Sequence, residues 1–363
     1  MLARFARVFR MIPFIALAML FIGCGSGGSG TSGTSQSSSG STSSSGSSTS
    51  SSSSSSSGAN APRIADCQIF PDDNFWNTAI DDPAQYPVHP NSAAYISSIG
   101  AGTRLHPDFG TEWEGSDIGI PFDVIPANQP LVPITFDYYD ECDMGSSSCN
   151  PGNDPTIGCY PIPANPSIEG GSDQHILLLQ QGTCILYEIF AAEKDSGGHW
   201  FGGSGAIWHL DQNEVRPDGW TSADASGLAI LPGLVRYDEV FGSGEINHAF
   251  RITLSTIRNG YVWPATHSDG RGGDDARYPL MGQRLRLKEG YEISGFSAPT
   301  QKILRAMKKY GVVVADTGSD MFVTGQHHDG WTSEKLEVLI EELNNVHADA
   351  FEAIDITKMI PSH

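Results

Sequence analysis

A tract of almost pure serine, glycine and threonine separates the first residues of this chain from everything that can fold. Residues 25–58 contain no charged side chain and a single glutamine. Such a segment has too little apolar surface to offset the entropy of ordering, so we interpret 25–60 as a flexible tether with a reach of roughly 30–35 Å. Folding is thereby confined to the roughly 300 residues from 61 onward, a length near the upper limit for a single core.

The segment before the tether has the pattern of an export signal. Three arginines lie among the first ten residues and precede an apolar run over 11–22, which is too short to be interpreted first as a membrane span. The sequence Phe-Ile-Gly-Cys at 21–24 resembles the lipobox of bacterial lipoproteins, in which the cysteine, here Cys24, becomes the lipidated first residue. This resemblance covers residues 1–24 and implies an extracytoplasmic protein anchored to a bacterial membrane, with the outer membrane expected. An ordinary signal peptide or an uncleaved anchor helix is the alternative.

The chain is strongly acidic, which excludes some partners. It has 42 Asp and Glu residues against 21 Lys and Arg residues, a formal net charge of −21. Such a surface repels nucleic acid and anionic lipid, so we expect no nucleic acid partner and membrane contact through the lipid anchor alone. Clustered aspartates suit calcium, and the crowding of Asp137, Asp140 and Asp143 makes them candidate ligands. The alternative is that they simply solvate a turn.

The cysteines predict disulfides. Export places them where disulfides form, and the odd number that remains after Cys24 leaves one unpaired or joined to another chain. A local disulfide is expected within the Gly-, Pro- and Ser-rich loop that contains three of them, and no spacing suggests zinc. The five cysteines are Cys67, Cys142, Cys149, Cys159 and Cys184.

Short apolar segments separated by loops rich in Gly, Pro, Asp and Asn predict many short strands from 61 to 296. The clearest signal is a hairpin in which segments 176–180 and 184–190 flank a Gly-containing turn. From 297 onward the pattern changes to two amphipathic helices and two short strands. We therefore predict a mainly β fold, an antiparallel β-sandwich or jelly roll over 61–296, with an α+β segment over 297–363 packed on it. A distorted barrel is the second choice.

Established catalytic patterns are missing from the sequence. It contains no GxSxG, HExxH, P-loop, dinucleotide-binding or EF-hand pattern. Segments 219–224 and 261–267 resemble exported bacterial proteins of unassigned function, a resemblance that implies no mechanism. Candidate catalytic residues are therefore predicted from the faces that side chains occupy on the predicted strands.

Strand parity places three ionisable side chains toward apolar faces. Glu188, His175 and His248 each fall in phase with the leucine or phenylalanine residues of their own strand. A buried charge without a partner is costly, so each needs a partner or a shifted pKa. If the three converge, they form an acid–base group or a two-histidine, one-carboxylate metal site. If they do not, each is a structural residue bonded to its own neighbours.

These residues lead to an enzyme hypothesis. Glycoside hydrolysis needs two carboxyl groups that face a sugar, one as proton donor and one as nucleophile or base. Glu188 with Asp224 or Glu239 is the expected pair, because these residues flank a Gly-rich segment. His175 and His248 would then tune the protonation of the pair.

Aromatic and basic residues supply candidate substrate contacts. A loop tryptophan can stack on a sugar ring, although tryptophan is equally an ordinary core residue. An arginine can bind a carboxylate, which matters if the substrate contains uronic acid. The candidate substrate-binding residues are Trp200, Trp208, Trp263 and Arg251.

The leading hypothesis is a lipid-anchored, extracytoplasmic glycoside hydrolase that acts on polysaccharide without a required cofactor. A polysaccharide lyase is the first alternative, in which His248 or Tyr187 removes a proton next to a uronate carboxylate that an arginine neutralises. A metal-dependent hydrolase follows if the histidines and Glu188 hold a metal ion. Outside enzymes, the alternatives are a glycan-binding lipoprotein and a structural lipoprotein of the envelope.

Overall fold

The computed structural model describes residues 61–113 and 116–360 of the 363-residue chain. The export signal, the tether and the predicted lipidation site at Cys24 lie outside the described residues. Among the residues that are described, none of the helices combines the length and the apolar character that a membrane span requires.

Strands dominate this part of the chain, which confirms the predicted mainly β class. In chain order the strands are β1 (Arg63–Ile64), β2 (Cys67–Gln68), β3 (His106–Gly110), β4 (Glu112–Trp113), β5 (Ser116–Asp117), β6 (Asp123–Ile125), β7 (Val132–Phe136), β8 (Ile157–Tyr160), β9 (Ile176–Gln180), β10 (Ile185–Phe190), β11 (Glu193–Lys194), β12 (Trp200–Gly202), β13 (Ser204–His209), β14 (Phe250–Leu254), β15 (Arg284–Leu287), β16 (Val312–Thr317), β17 (Phe322–His327) and β18 (Phe351–Ala353). The α-helices are α1 (Ser92–Ile99), α2 (Tyr237–Phe241), α3 (Ala298–Lys309) and α4 (Ser333–Leu343). Short 3-10 helices cover Tyr139–Glu141, Ser147–Cys149, Leu231–Gly233, Ala348–Ala350 and Thr357–Met359.

The predicted hairpin forms the middle of a four-stranded sheet, the central sheet, with the strand order β13-β10-β9-β6. Strands β9 and β10 are antiparallel, with Leu186 opposite Leu179. Gly182 in the turn between them has a φ of 76°, a left-handed conformation that favours glycine. Strand β13 adds an antiparallel neighbour on one side, and β6 adds a parallel neighbour on the other.

A second four-stranded sheet, the outer sheet, has the order β11-β12-β7-β8 and covers one face of the central sheet. Phe136 of the outer sheet shares a buried apolar cluster with Leu178 and Ile189 of the central sheet. Gly205 of β13 permits this close approach, because a Cβ there would lie 2.5 Å from the Phe136 ring and 2.6 Å from the Tyr160 hydroxyl oxygen. The two sheets make the predicted β-sandwich.

The opposite face of the central sheet is covered as well. Leu177, Leu179 and Leu186 belong to a larger core that also includes the apolar residues of a six-stranded sheet. The six-stranded sheet has the order β18-β15-β16-β14-β17-β3. The central sheet is therefore an internal layer, with another sheet packed on each of its faces.

The six-stranded sheet mixes parallel and antiparallel pairs, whereas the sequence predicted antiparallel ones. Strand β14 runs parallel to β16, and β17 runs parallel to β3. The α+β segment over 297–363 is present as predicted, and its strands β16 and β17 lie on either side of β14, which precedes the predicted boundary. The C-terminal segment therefore completes the sheet.

Helix α3 follows its sequence signals closely. Pro299 stands in its first turn, and Ile303 and Met307 are buried. Gly311 follows the helix with a φ of 73°, and a Cβ there would lie 2.3 Å from the carbonyl oxygen of Leu285. Glycine alone meets both conditions, so the chain turns directly from α3 into β16.

Two disulfides are formed. Cys67–Cys184 ties β2 to the start of β10, and Cys149–Cys159 closes a short loop before β8. The predicted local disulfide is thus confirmed, and Cys142 is left as a buried free thiol in the described chain. Disulfides persist in oxidising compartments, so they indicate an extracytoplasmic environment.

Candidate functional site

Glu188 lies where strand parity predicts, on the same face of β10 as Leu186, and it has no exposed surface. Its carboxylate accepts hydrogen bonds from the backbone N–H groups of Ile230 and Leu231, at 2.9 Å each, and from Nε1 of Trp208 at 3.1 Å. Burial raises the pKa of Glu188 to about 7, although the three donors act to lower it. The carboxylate therefore anchors the 230–231 backbone inside the protein, out of reach of a substrate.

His248 and Glu239 form a separate buried pair. Nε2 of His248 lies 3.0 Å from Oε2 of Glu239, and Nδ1 lies 2.8 Å from the carbonyl oxygen of Ala249. Burial acts to raise the pKa of Glu239, but the charges of Arg236 and His248 outweigh it and leave the pKa lowered. In the described part of the chain no hydrogen bond or ion pair joins this pair to Glu188. The three predicted ionisable groups therefore do not converge.

Arg251 and Asp224 form the centre of another polar group. Arg251 on β14 donates from Nε and Nη2 to the two carboxylate oxygens of Asp224, at 3.0 and 3.1 Å, and from Nη1 to Oγ1 of Thr324 at 2.7 Å. Nη2 also lies 3.5 Å from Oδ2 of Asp316. The Asp224 side chain is fully buried, whereas that of Asp316 is 27% exposed. One guanidinium group is therefore shared by a buried and an accessible carboxyl group.

The register of the six-stranded sheet explains why these side chains meet. Asp316 of β16 pairs with Thr253 of β14, two residues after Arg251, because a register shift between Ile252 and Thr253 brings Asp316 instead of Ala315 opposite Thr253. Asp108 of β3 pairs with Thr324 of β17, the residue that Arg251 contacts. Cross-strand partners and alternate residues of a strand share a face of the sheet. Asp108, Arg251 and Asp316 therefore lie on the same face.

His175, at the head of β9, joins this group. Its Nδ1 contacts the Glu169 carboxylate, and its Nε2 lies 3.0 Å from the carbonyl oxygen of Ala223, next to Asp224. Burial acts to lower the pKa of His175, but the charge and hydrogen bond of Glu169 outweigh it and raise the pKa to about 9. Because both ring nitrogens face acceptors, the imidazole holds two protons and a positive charge at neutral pH.

We call this group the Arg251 cluster, and it contains more carboxylates than cations. Burial and the neighbouring charge of Asp224 raise the pKa of Asp316 to about 7, against the attraction of Arg251. Burial likewise raises the pKa of Asp108, and the exposed Asp173 adds its negative charge to both. Two partly accessible carboxyl groups thus keep their protons to an unusually high pH. The Arg251 cluster consists of Asp108, Glu169, Asp173, His175, Asp224, Arg251 and Asp316.

The predicted aromatic platforms are core residues. Trp208 is 3% exposed and Trp200 is 5% exposed, with Nζ of Lys194 lying 5.1 Å from the centre of the Trp200 ring. Trp263 is half-buried and packs edge-on against Phe75, with the ring centres 5.9 Å apart. Trp200 and Trp208 therefore pack in the interior and Trp263 packs against the core, which agrees with the alternative interpretation of them as core residues.

The calcium site expected at Asp137, Asp140 and Asp143 is not formed. Asp143 pairs with Arg216 and accepts a hydrogen bond from the backbone N–H of Ile207 at 3.0 Å, while Asp137 and Asp140 are exposed. Across the described residues, no group of three or more His, Cys, Asp or Glu side chains is arranged to hold a metal ion. The carboxylates solvate a turn and anchor β13, which is the alternative that the sequence left open.

The sequence predicts three of the seven residues of the Arg251 cluster, His175, Asp224 and Arg251, and misses Asp108, Glu169, Asp173 and Asp316. Three of these lie on the unpredicted strand β3 or in the loop before β9, where no apolar alternation marks them. Asp316 directly follows a predicted strand. The usable signal was Arg251 itself, because a guanidinium group in an apolar strand requires carboxylates around it.

Comparison of the chain with protein-family models, with curated proteins and with solved structures gave no match. The chemistry that the Arg251 cluster offers is acid–base chemistry. It places a carboxyl group whose pKa is raised to about 7 beside a buried Asp–Arg pair at an accessible edge of the protein.

Proposed function

We propose that this protein is a lipid-anchored, extracytoplasmic glycoside hydrolase that acts on polysaccharide, with the Arg251 cluster as its acid–base centre. The observation that carries the proposal is the accessible carboxyl group of Asp316, whose pKa of about 7 lets it keep a proton at neutral pH. Such a group can donate that proton to a leaving glycosidic oxygen. The anchor at Cys24 and an outer-membrane location belong to the same proposal and are supported by the lipobox resemblance.

Asp224 and Arg251 act as positioning residues for the proton donor. Burial raises the pKa of Asp224, while Arg251, which bonds to both of its oxygens, acts to lower it, and the negative charge of Asp224 in turn helps to hold the proton on Asp316. The buried Asp224 does not itself touch the sugar.

Asp173 is the second carboxylate of the proposed reaction. It lies two residues before His175 with its side chain exposed, and its charge acts on Asp316, Asp108 and His175. A charged carboxylate across from a proton donor can activate water or attack the sugar. His175, bonded to Glu169, supplies positive charge that limits the repulsion among these groups.

Hydrolysis is preferred over the lyase alternative. A lyase needs a cation for the uronate carboxylate, and Arg251 is already bound by two carboxyl groups and a threonine. The expected base His248 is fully buried with both nitrogens bonded, and burial raises the pKa of Tyr187. The excess negative charge of the Arg251 cluster would also repel a uronate.

Replacement of Asp316 tests the proposal in the full-length protein. We expect Asp316→Asn to lower hydrolysis across a polysaccharide panel by at least about 100-fold, because a general acid contributes about 10²–10⁴ in rate. The wild type should lose activity as the pH rises through about 7, where Asp316 gives up its proton. Asp140→Asn, an exposed carboxylate outside the Arg251 cluster, is the matched control and should leave hydrolysis unchanged.

Other outcomes would contradict this assignment. Unchanged hydrolysis in both Asp316→Asn and Asp173→Asn would remove the Arg251 cluster as the reaction centre. A loss confined to Glu188→Gln, with the fold intact by circular dichroism, would return the acid role to Glu188. A wild type that cleaves no polysaccharide of the panel would refute the hydrolase itself.

A non-catalytic glycan-binding role is the second candidate, and exposed aromatic side chains favour it. Tyr138, Tyr139 and Phe201 are 52%, 44% and 42% exposed. The backbone N–H of Tyr138 bonds to the carbonyl oxygen of Gly203, just after β12, so Tyr138 and Phe201 belong to the same end of the outer sheet. Alanine at all three positions should abolish retention on an insoluble polysaccharide. Unchanged retention would contradict this second role.

A further inference from the structure

An open cavity of about 600 Å³ lies along β13, the edge strand of the central sheet. Segments 142–145 and 214–217 form its walls, and it shares no lining residue with the Arg251 cluster. Its volume falls within the range of roughly 300–1,000 Å³ that is usual for small-molecule sites. The cavity is therefore a candidate binding site separate from the proposed reaction centre.

The floor of the cavity is apolar. Tyr187 of β10 and Ile207 of β13 are direct cross-strand partners, and Ile185 lies on the same face of β10. Ile185 and Ile207 are only half-buried, so part of their apolar surface faces the open cavity. A ligand with an apolar body would remove that surface from water.

Two carboxylates stand at fixed positions on the rim. Asp143 accepts a hydrogen bond from the backbone N–H of Ile207 at 3.0 Å, and Glu214 accepts one from that of His209 at 3.2 Å. Each carboxylate side chain remains 33% exposed. Since the edge strand already holds both groups in place, a ligand would not have to order them on binding.

Arg216 also lines the cavity, but its guanidinium group is occupied by other partners in the protein. Its side chain is 3% exposed and donates to Asp143 and to the backbone carbonyl oxygens of Glu141 and Thr221. Its guanidinium group also stacks near two tryptophan rings. Half-exposed His209 is paired with Glu214 through Nδ1 at 3.2 Å. The charge that the rim offers to a ligand is therefore negative.

We propose that this cavity binds a small organic cation, with an ammonium or guanidinium group at Asp143 and Glu214 and an apolar body on Ile185, Ile207 and Tyr187. A charge-assisted hydrogen bond to a fixed carboxylate is stronger than one between neutral groups, which favours the cation over a neutral ligand of the same shape. An anion of that shape meets repulsion from both carboxylates. This inference does not depend on the proposed hydrolase activity.

Three ligands with the same phenylethyl body test the proposal: phenylethylamine, phenylethanol and hydrocinnamate. Binding to the full-length protein is measured by isothermal titration calorimetry at low and high salt. We expect the amine to bind at least about tenfold more tightly than the alcohol, and the carboxylate most weakly of the three. The advantage of the amine should shrink at high salt, because exposed charges are screened. Equal affinities, or no binding of the amine, would overturn the proposal.

Variants locate the site. Glu214→Gln keeps an acceptor for the His209 N–H but removes the charge, so the affinity for phenylethylamine should fall several-fold while that for phenylethanol stays the same. Glu193→Gln removes an exposed charge on β11 and is the matched control. Ile207→Trp would fill the cavity and weaken the amine and the alcohol alike. Amine binding that is unchanged in both Glu214→Gln and Ile207→Trp would place the ligand elsewhere and refute the assignment.

Discussion

At the residue scale, His175 carries its charge in the interior. Both ring nitrogens face oxygen acceptors, and the pKa is raised to about 9 from an ordinary value of 6.5. The folded protein therefore binds this proton more tightly than the unfolded chain does. The resulting stabilisation is complete below pH 6.5 and is lost as the pH rises through about 9.

As the pH rises from 6.5 to 9, we expect the loss of the His175 proton to lower the free energy of unfolding by up to about 3 kcal/mol. His175→Gln should remove that pH dependence, because glutamine does not titrate. Chemical denaturation at a series of pH values measures it, with His199→Gln, a histidine whose side chain is 75% exposed, as the control. A wild-type profile that is flat in this interval, or that matches His175→Gln, would contradict the buried imidazolium.

Parity predicts burial of single residues well and says nothing about their partners. Glu188 shares the face of Leu186 as the alternation requires, and it is fully buried. Its hydrogen-bond donors come from residues 230–231, which no local pattern connects to β10. The same holds for the contact between Arg251 and Asp316. The candidate site was therefore predictable as a set of residue types, but its membership depends on tertiary pairing.

At the scale of elements, local signals define β9, β10 and α3 almost to the residue, because a glycine turn or an amphipathic stripe marks each of them. Strand β3 has no such signal. It contains Pro107 and Asp108 and is placed by parallel pairing with β17, more than two hundred residues later in the chain. Parallel partners are joined by long connections, so the mixed sheets cannot be predicted from any local window.

The two disulfides should differ in their effect on stability. Cys67–Cys184 spans a sequence separation of 117, whereas Cys149–Cys159 spans 10. In the chain-entropy account, the longer loop stabilises by about 4–5 kcal/mol and the shorter by about 2–3 kcal/mol. We expect the double serine variant of the first pair to lose more free energy of unfolding in denaturant titrations than that of the second. An equal or smaller loss would contradict this ranking.

At the scale of the whole molecule, distant segments build one core. Strands β14 and β15, which precede residue 297, alternate in the six-stranded sheet with β16 and β17, which follow it. Val312, Val314 and Val323 of the later strands are buried in the same core as Phe250 and Leu285 of the earlier ones. The α+β segment therefore belongs to the folding unit of the strands before it.

Truncation tests this unity. A chain that ends at residue 296 leaves β14 without either of its sheet neighbours, so we expect it to show no cooperative unfolding transition. A chain that begins at residue 61 keeps every contact described here and is the control. Circular dichroism during heating distinguishes the two. A cooperative transition in the chain that ends at 296 would show that the first part folds independently.

The edge of the central sheet has a consequence for copies of this protein that meet one another. An unpaired edge strand is a template on which a second molecule can add its own strand and begin a fibril. On β13, alternate backbone N–H groups are already occupied by neighbouring side chains, as Gly205 bonds to Cys142, Ile207 to Asp143 and His209 to Glu214. Copies of this protein at high local concentration would thus meet at this edge without extending it into a continuous sheet.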